Sequence, residues 1–151
     1  MKTIEIISNS PEETKKAGRG LASFFKKEKS PRRGAAVIAF EGGLGAGKTT
    51  FTQGLAEGLG VKKDVLSPTF VILKEFPLRL ENFKKFYHID AYRTENPEEI
   101  LELGFEDLIK NPENIIAVEW AEKIEKILPQ KAVRIRFENL GKEKRKILIY
   151  S

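Results

Sequence analysis

The chain has 151 residues, close to the size of one ordinary domain, and 40% of them are hydrophobic, with 10 Phe, 3 Tyr and 1 Trp, so it can bury a core of its own. Zero cysteines exclude a disulfide scaffold, thiolate catalysis, Cys-ligated zinc and iron–sulfur clusters, and a single histidine, His88, excludes a multi-His metal site. The net charge of +5 invites a nucleic-acid reading, but it divides into +5 over residues 1–34, −5 over 35–128 and +5 over 129–151, so the basic excess is terminal.

Residues 2–7 read as a short strand rich in β-branched side chains. The first five residues hold no apolar signal core, and no apolar run in the chain is long enough to span a bilayer, so the expectation is a soluble, cytoplasmic protein with no membrane role. Ser10-Pro11-Glu12-Glu13 opens a helix, with Ser10 as N-cap, Pro11 at the first helical position and Glu13 closing a capping box. Leu21, Phe24 and Phe25 supply its apolar side. Residues 29–34 form a basic linker in which Pro31 stops any helix. Residues 35–40 are a continuous apolar run, the pattern of a strand buried on both faces of a parallel sheet. After a glycine-rich turn, residues 48–59 read as a helix that Gly60 ends. Strands follow at 69–76 and 83–89 with a hinge at Pro77, then a short helix from Asn96 towards Leu103, an apolar strand at 114–118, and a helix at 121–128 stopped by Pro129. Residues 133–140 and 146–150 alternate around Gly141 as a C-terminal β-hairpin. Strands alternating with helices indicate an α/β layered domain, one unit over residues 1–151.

The chemistry is carried by Gly42-Gly43-Leu44-Gly45-Ala46-Gly47-Lys48-Thr49, which matches the phosphate-loop pattern G-x-x-x-x-G-K-[ST]. It follows a buried-strand pattern and leads into a helix, the context that pattern needs. Small residues let backbone N–H groups turn onto phosphate oxygens, and the helix N-terminus adds its dipole. The predicted fold is therefore a P-loop NTPase-like three-layer domain with a central, mostly parallel sheet. Gly43 through Thr50 are the expected phosphate contacts of a bound nucleotide, with Lys48 reaching the β- and γ-phosphates and Thr49 binding Mg²⁺. A second anchor for Mg²⁺ is usually an acid at the end of a neighbouring buried strand. Asp90 and Glu119 both qualify, and Glu119 is favoured as the Walker B-like acid because residues 115–118 are the more apolar strand. Thr69, in Ser67-Pro68-Thr69-Phe70, lies where nucleotide-sensing switch segments often fall. No N-K-x-D or D-x-x-G segment supports a Ras-like GTPase. Only Arg79 and Arg93 lie in 35–128, too few arginines for a nucleotide kinase lid.

Taken with the loop, Ser67-Pro68-Thr69-Phe70, His88-Ile89-Asp90-Ala91-Tyr92-Arg93 and Val118-Glu119-Trp120 resemble, in order and spacing, the TsaE (YjeE) family of small bacterial ATPases needed for threonylcarbamoyladenosine modification of tRNA. The resemblance implies ATP and Mg²⁺ as cofactors, a TsaB–TsaD complex as partner, and tRNA contact only through that complex. It implies catalytic roles for Lys48, Asp90 and Glu119, a switch-like role for Thr69, and Trp120 near the nucleotide. His88, Tyr92 and Arg93 would support the site. Gly43 departs from the family, which commonly has Asp there. The free chain is expected to be monomeric. The rival readings are a small-molecule kinase on the same loop and a nucleotide-gated binding module. The basic stretches 26–33 and 142–146 are expected to lie away from the motifs, as solubilising ends or as a contact for a partner or its tRNA.

Overall fold

In the computed structural model, residues 2–29, 32–43, 45–62 and 72–150 are described. The elements in chain order are β1 (Thr3–Ser8), α1 (Pro11–Lys27), β2 (Ala36–Glu41), α2 (Lys48–Leu59), β3 (Leu73–Pro77), β4 (Lys85–Asp90), α3 (Glu98–Leu101), α4 (Phe105–Lys110), β5 (Asn114–Glu119), a 3₁₀ helix (Ala121–Ile127), β6 (Val133–Gly141) and β7 (Lys144–Tyr150). The strands form one sheet in the order β1-β7-β6-β2-β5-β4-β3. Its centre, β6-β2-β5-β4, is parallel, and β1, β7 and β3 pair antiparallel at the edges.

The period-2 alternation of the central strands sends side chains to two cores. Ile38, Phe40, Ile115, Ala117 and Ile135 meet α1 and α2 on one face. Val37, Ala39, Ile116 and Val118 meet Ile100, Phe105 and Ile124 from α3, α4 and the 3₁₀ helix on the other. Burial on both faces explains why β2 and β5 read as unbroken apolar runs, and it gives the three-layer α/β architecture expected. None of the helices among the described residues is long and apolar enough to cross a membrane.

Local signals acted as chemistry requires. Ser10 Oγ accepts the Glu13 N–H at 3.1 Å, while Glu13 Oε2 reaches the Asn9 N–H, one residue upstream of the usual capping-box partner. Gly60 ends α2 in the left-handed region at φ 89°. The N-terminal strand β1 has no partner in its local sequence and finds β7, in the register Thr3↔Tyr150 to Ser8↔Arg145.

Four expectations change. The strand expected at 69–76 is observed as Leu73–Pro77, with Lys63–Val71 outside the described residues. The helix begun at Asn96, whose Oδ1 accepts the Glu98 N–H, ends at Leu101, because Gly104 at φ 91° turns the chain into the separate α4. The helix at 121–128 is a 3₁₀ helix kinked at Ile124. The expected linker at 29–34 is tethered in its described part: Arg32 pairs with Glu28 at 2.6 Å, and its Nε donates to Gly34 O at 3.3 Å.

Helices α1 and α2 pack so closely that backbone replaces side chain at the crossing. A Cβ on Gly54 would stand 2.1 Å from Lys15 O, and one on Gly18 would stand 2.2 Å from Phe51 O. Alanine normally gains about 1 kcal/mol over glycine in a helix. Here a backbone oxygen cannot move aside, and overpacking of this kind costs roughly 1–3 kcal/mol. Gly54→Ala is therefore expected to lower unfolding free energy by about 2 kcal/mol in urea titrations. Gly20→Ala in α1, where a Cβ meets nothing within 4 Å, should instead raise it by up to about 1 kcal/mol.

Candidate active site

The glycine-rich segment joins the C-terminal end of β2 to the first residue of α2. Gly42 stands at φ 143°, and a Cβ there would lie 2.7 Å from Phe137 O; Gly47 stands at φ 100° as the N-cap of α2. Neither position tolerates a side chain, so the loop backbone can close over the helix N-terminus. Gly43 differs: a Cβ meets nothing within 4 Å, so the space for an acidic side chain exists. Leu44 lies outside the described residues. Gly45, Ala46, Gly47, Lys48, Thr49, Thr50, Glu119 and Trp120 all line one cavity of about 250 Å³ at this end of the sheet.

Parallel pairing sets the acids side by side, with Asp90 opposite Glu119 at the ends of β4 and β5. Glu119 is 3% exposed and uses both oxygens. Its Oε1 accepts from Thr49 Oγ1 at 3.0 Å, and its Oε2 lies 2.5 Å from His88 Nε2. A carboxylate offers only acceptor sites, so Nε2 carries the proton. His88 is wholly buried, and its Nδ1 has no hydrogen-bond partner among the described residues. Asp90 does not line the cavity; its Oδ1 accepts the Tyr92 N–H at 3.0 Å. Thr69 and the rest of its segment lie outside the described residues.

Lys48 is nearly buried. Its Nζ donates to Gly42 O at 2.5 Å and sits 3.3 Å from the centre of the Trp120 ring. Burial pushes this ammonium below its ordinary pKa, against the opposing pull of Glu122, Glu119 and Asp90. Trp120 adopts φ 59°, ψ 41°, a left-handed conformation that costs a non-glycine residue roughly 1–2 kcal/mol. Its ring is 5.0 Å from that of Tyr92, and Lys123 Nζ stands 5.2 Å from the centre of the Tyr92 ring. The ring pair, worth about 0.5–1.5 kcal/mol, and the lysine above it offset the backbone cost.

Among the described residues no three His, Cys, Asp or Glu side chains cluster as a metal site. What the site offers a metal is two oxygens, Thr49 Oγ1 and Glu119 Oε1, whose 3.0 Å separation matches the edge of about 2.9 Å in an octahedron with Mg–O bonds near 2.05 Å.

Four cavity residues escaped the sequence reading: Pro11, Thr14, Glu143 and Arg145. The expectation that residues 142–146 lie away from the motifs is wrong. Strand β6 pairs parallel to β2 in the register Ile38↔Val133 to Glu41↔Arg136, so the turn after β6 emerges at the same end of the sheet as the loop after β2. That neighbour relation is a matter of strand order, which local sequence does not carry.

The family model described as "Threonylcarbamoyl adenosine biosynthesis protein TsaE" matches residues 8–147. The tRNA threonylcarbamoyladenosine biosynthesis protein TsaE of Bacillus subtilis (strain 168) is 40% identical over 147 residues, 97% of this chain and 85% of its own length. Its counterpart in Rickettsia felis is 36% identical over 141 residues, 93% of this chain and 75% of its own. The crystal structure of Bacillus subtilis YdiB superposes with a TM-score of 0.73 at 34% identity, over 98% of this chain and 84% of that one.

Two outcomes test this geometry. His88→Leu leaves the Glu119 carboxylate buried with half its partners and is expected to cost about 3 kcal/mol in chemical denaturation. The depressed Lys48 pKa means the folded protein holds that proton less tightly than the unfolded chain, so the charge opposes folding at neutral pH. Stability then rises as pH approaches the ordinary lysine value of 10.5. Without nucleotide, Lys48→Met should be more stable than wild type at pH 7, and the gap should close as pH rises towards 10.5 in paired urea titrations.

Proposed function

The chain belongs to the TsaE family of tRNA threonylcarbamoyladenosine biosynthesis proteins, and from that premise we propose that it is a Mg²⁺-dependent ATPase whose turnover serves a TsaB–TsaD complex acting on tRNA. The observation that carries this reading is the single carboxylate of Glu119 joined to Thr49 at 3.0 Å, beside Lys48 and at the open end of a glycine loop.

The loop N–H groups and the start of α2 would receive the phosphates. Lys48 would leave Gly42 O and the Trp120 face for phosphate oxygens, and a desolvated ammonium gains from that anion more than a solvated one does. Thr49 and Glu119 would hold Mg²⁺, and the chemistry it supplies when bound is positive charge against the charge developing on the γ-phosphoryl group. His88 holds Glu119 Oε2 at 2.5 Å, which keeps Oε1 turned to the phosphate side. Asp90, one strand away, would act on the attacking water through the field it adds or through a bridging water. The products are ADP and inorganic phosphate. Transfer of the threonylcarbamoyl group would belong to the partner complex.

Hydrolysis measured with a TsaB–TsaD complex and tRNA is expected to fall at least 100-fold in Lys48→Ala, through lost nucleotide binding, and in Glu119→Gln, through slower turnover with ATP still bound. Wild-type rates in both variants would sink the assignment. Label from the γ-phosphate appearing in a small organic molecule, rather than in inorganic phosphate, would replace it with a kinase.

A further inference from the structure

His88 is wholly buried, yet its ring makes a single polar contact among the described residues: Nε2 lies 2.5 Å from Glu119 Oε2, while Nδ1 has no partner. If packing alone set this position, an apolar side chain would serve better, because an unpaired buried nitrogen costs free energy. The surroundings are built for that one contact. Strand β4 is hydrogen-bonded on both sides, with His88 opposite Lys74 of β3 and Ala117 of β5, so the backbone that carries the ring is fixed. On the facing side of β5, Ala117 lies between Ile115 and Glu119, and its small side chain leaves the ring room to lean along the strand to the carboxylate.

The contact decides what kind of ligand Glu119 is. Thr49 Oγ1 donates to Oε1 at 3.0 Å, so Oε1 is the oxygen turned to the start of α2, and Oε2 is the one turned into the sheet. Both oxygens could meet one ion only if the carboxylate rotated about its last side-chain bond. That rotation would take Oε2 off His88 and leave a wholly buried N–H without its acceptor.

Divalent ions differ in what they ask of a carboxylate. Mg²⁺ demands a near-ideal octahedron, which the narrow bite of a two-oxygen carboxylate does not fit, whereas Ca²⁺ takes about six to eight oxygens and readily uses both from one carboxylate. The 3.0 Å between Thr49 Oγ1 and Glu119 Oε1 also falls short of the ~3.4 Å edge of an octahedron with Ca–O bonds near 2.4 Å. A larger Ca²⁺ shell has shorter edges, but it needs more donors. The second oxygen of Glu119 is the nearest such donor, and His88 occupies it.

We propose that His88 is a positioning residue that sets ion selectivity: by holding Oε2 it makes Glu119 a one-oxygen ligand, which favours Mg²⁺ over Ca²⁺ in the nucleotide complex. This rests on the Mg²⁺–nucleotide reading above and adds to it how the chain chooses its ion.

Calorimetric titration with a non-hydrolysable imido analogue of ATP tests it, in excess Mg²⁺, in excess Ca²⁺ and in EDTA, on wild type, His88→Leu, His88→Asn and His88→Gln. Wild type should bind the analogue about tenfold more tightly with Mg²⁺ than with Ca²⁺. In His88→Leu that ratio should fall to within about twofold of unity, with Ca²⁺ gaining as Mg²⁺ loses. His88→Asn, whose amide stops short of the carboxylate, should do the same, and it carries the test if the leucine variant does not fold. His88→Gln should keep the ratio, because its amide N–H can stand where the Nε2 proton was. Affinity in EDTA equal to that of wild type shows that a variant is folded around the loop. Equal losses with both ions would make His88 a support of the fold alone and overturn the proposal. So would an unchanged ratio in the leucine and asparagine variants, a ratio lost as fully in the glutamine variant, or a wild type without preference for Mg²⁺. Affinity that is the same with Mg²⁺, with Ca²⁺ and in EDTA would overturn the metal reading of Thr49 and Glu119 as well, and no binding in any condition would overturn the nucleotide reading itself.

Discussion

One carboxylate ties the working parts together. Glu119 ends β5, accepts from Thr49 at the start of α2 and meets His88 from the middle of β4, so three elements share a single buried group. Burying an anion is costly unless its oxygens are occupied, and here each oxygen has a hydrogen-bond partner. The arrangement is therefore specific in a way an apolar contact is not. Displacing α2 or β4 leaves one oxygen of that charge without its partner. Register does the rest: with His88 opposite Ala117 and Asp90 opposite Glu119, the histidine reaches the carboxylate diagonally, from two residues back along the neighbouring strand.

Around that group the site is assembled from distant parts of the chain. The glycines that let α1 lie against α2 carry Thr14 to the loop, because a bulkier crossing would hold α1 away from the helix that the loop begins. On the other side, β6 beside β2 delivers the β6–β7 turn to the same place. The terminal segments, which carry the basic excess, thus supply one wall of the cavity. The +5 of residues 129–151 is in part a local feature of the candidate site. Glu143 from the β6–β7 turn and Arg145 from the start of β7 line this wall together, so a salt-dependent attraction to phosphate is not the main thing it offers.

Much of this was legible in the residues. Strands β2 and β5 are nearly unbroken apolar runs, because a strand covered on both faces has no reason to alternate. Helix α2 could be bounded to the residue, since both ends are set by glycine chemistry. The phosphate-loop segment and the two strand-end acids, Asp90 and Glu119, were read from the residues, but their placement side by side was not. What was hidden depends on neighbours rather than on local preference. The partner of β1, the approach of Arg145 and the contact of His88 with Glu119 each need the strand order. The α3–α4 break was missed for a different reason: a glycine inside an apolar pattern costs only about 1 kcal/mol and gives no clear sign of whether the helix continues. The segment after β5 was read only as a helix, because its apolar side chains serve 3₁₀ and α geometry alike.

The unliganded site is poised by opposing terms. Lys48 is desolvated, yet it lies among Glu119, Asp90 and Glu122 and over the face of Trp120, itself held in a backbone conformation that side chains avoid. These contacts partly replace water around the ammonium, and its lowered pKa shows that they do not replace it fully. A polyphosphate arriving at the loop would supply the missing negative charge at short range, where the low dielectric makes it count most. The same arrival would free the face of Trp120 and let the strained turn after β5 relax. The strand end that holds Glu119 and the turn that holds Trp120 are consecutive residues. The Tyr92 ring, 5.0 Å from that of Trp120, ties this turn to the chain after β4, so the ends of two neighbouring strands meet around Lys48.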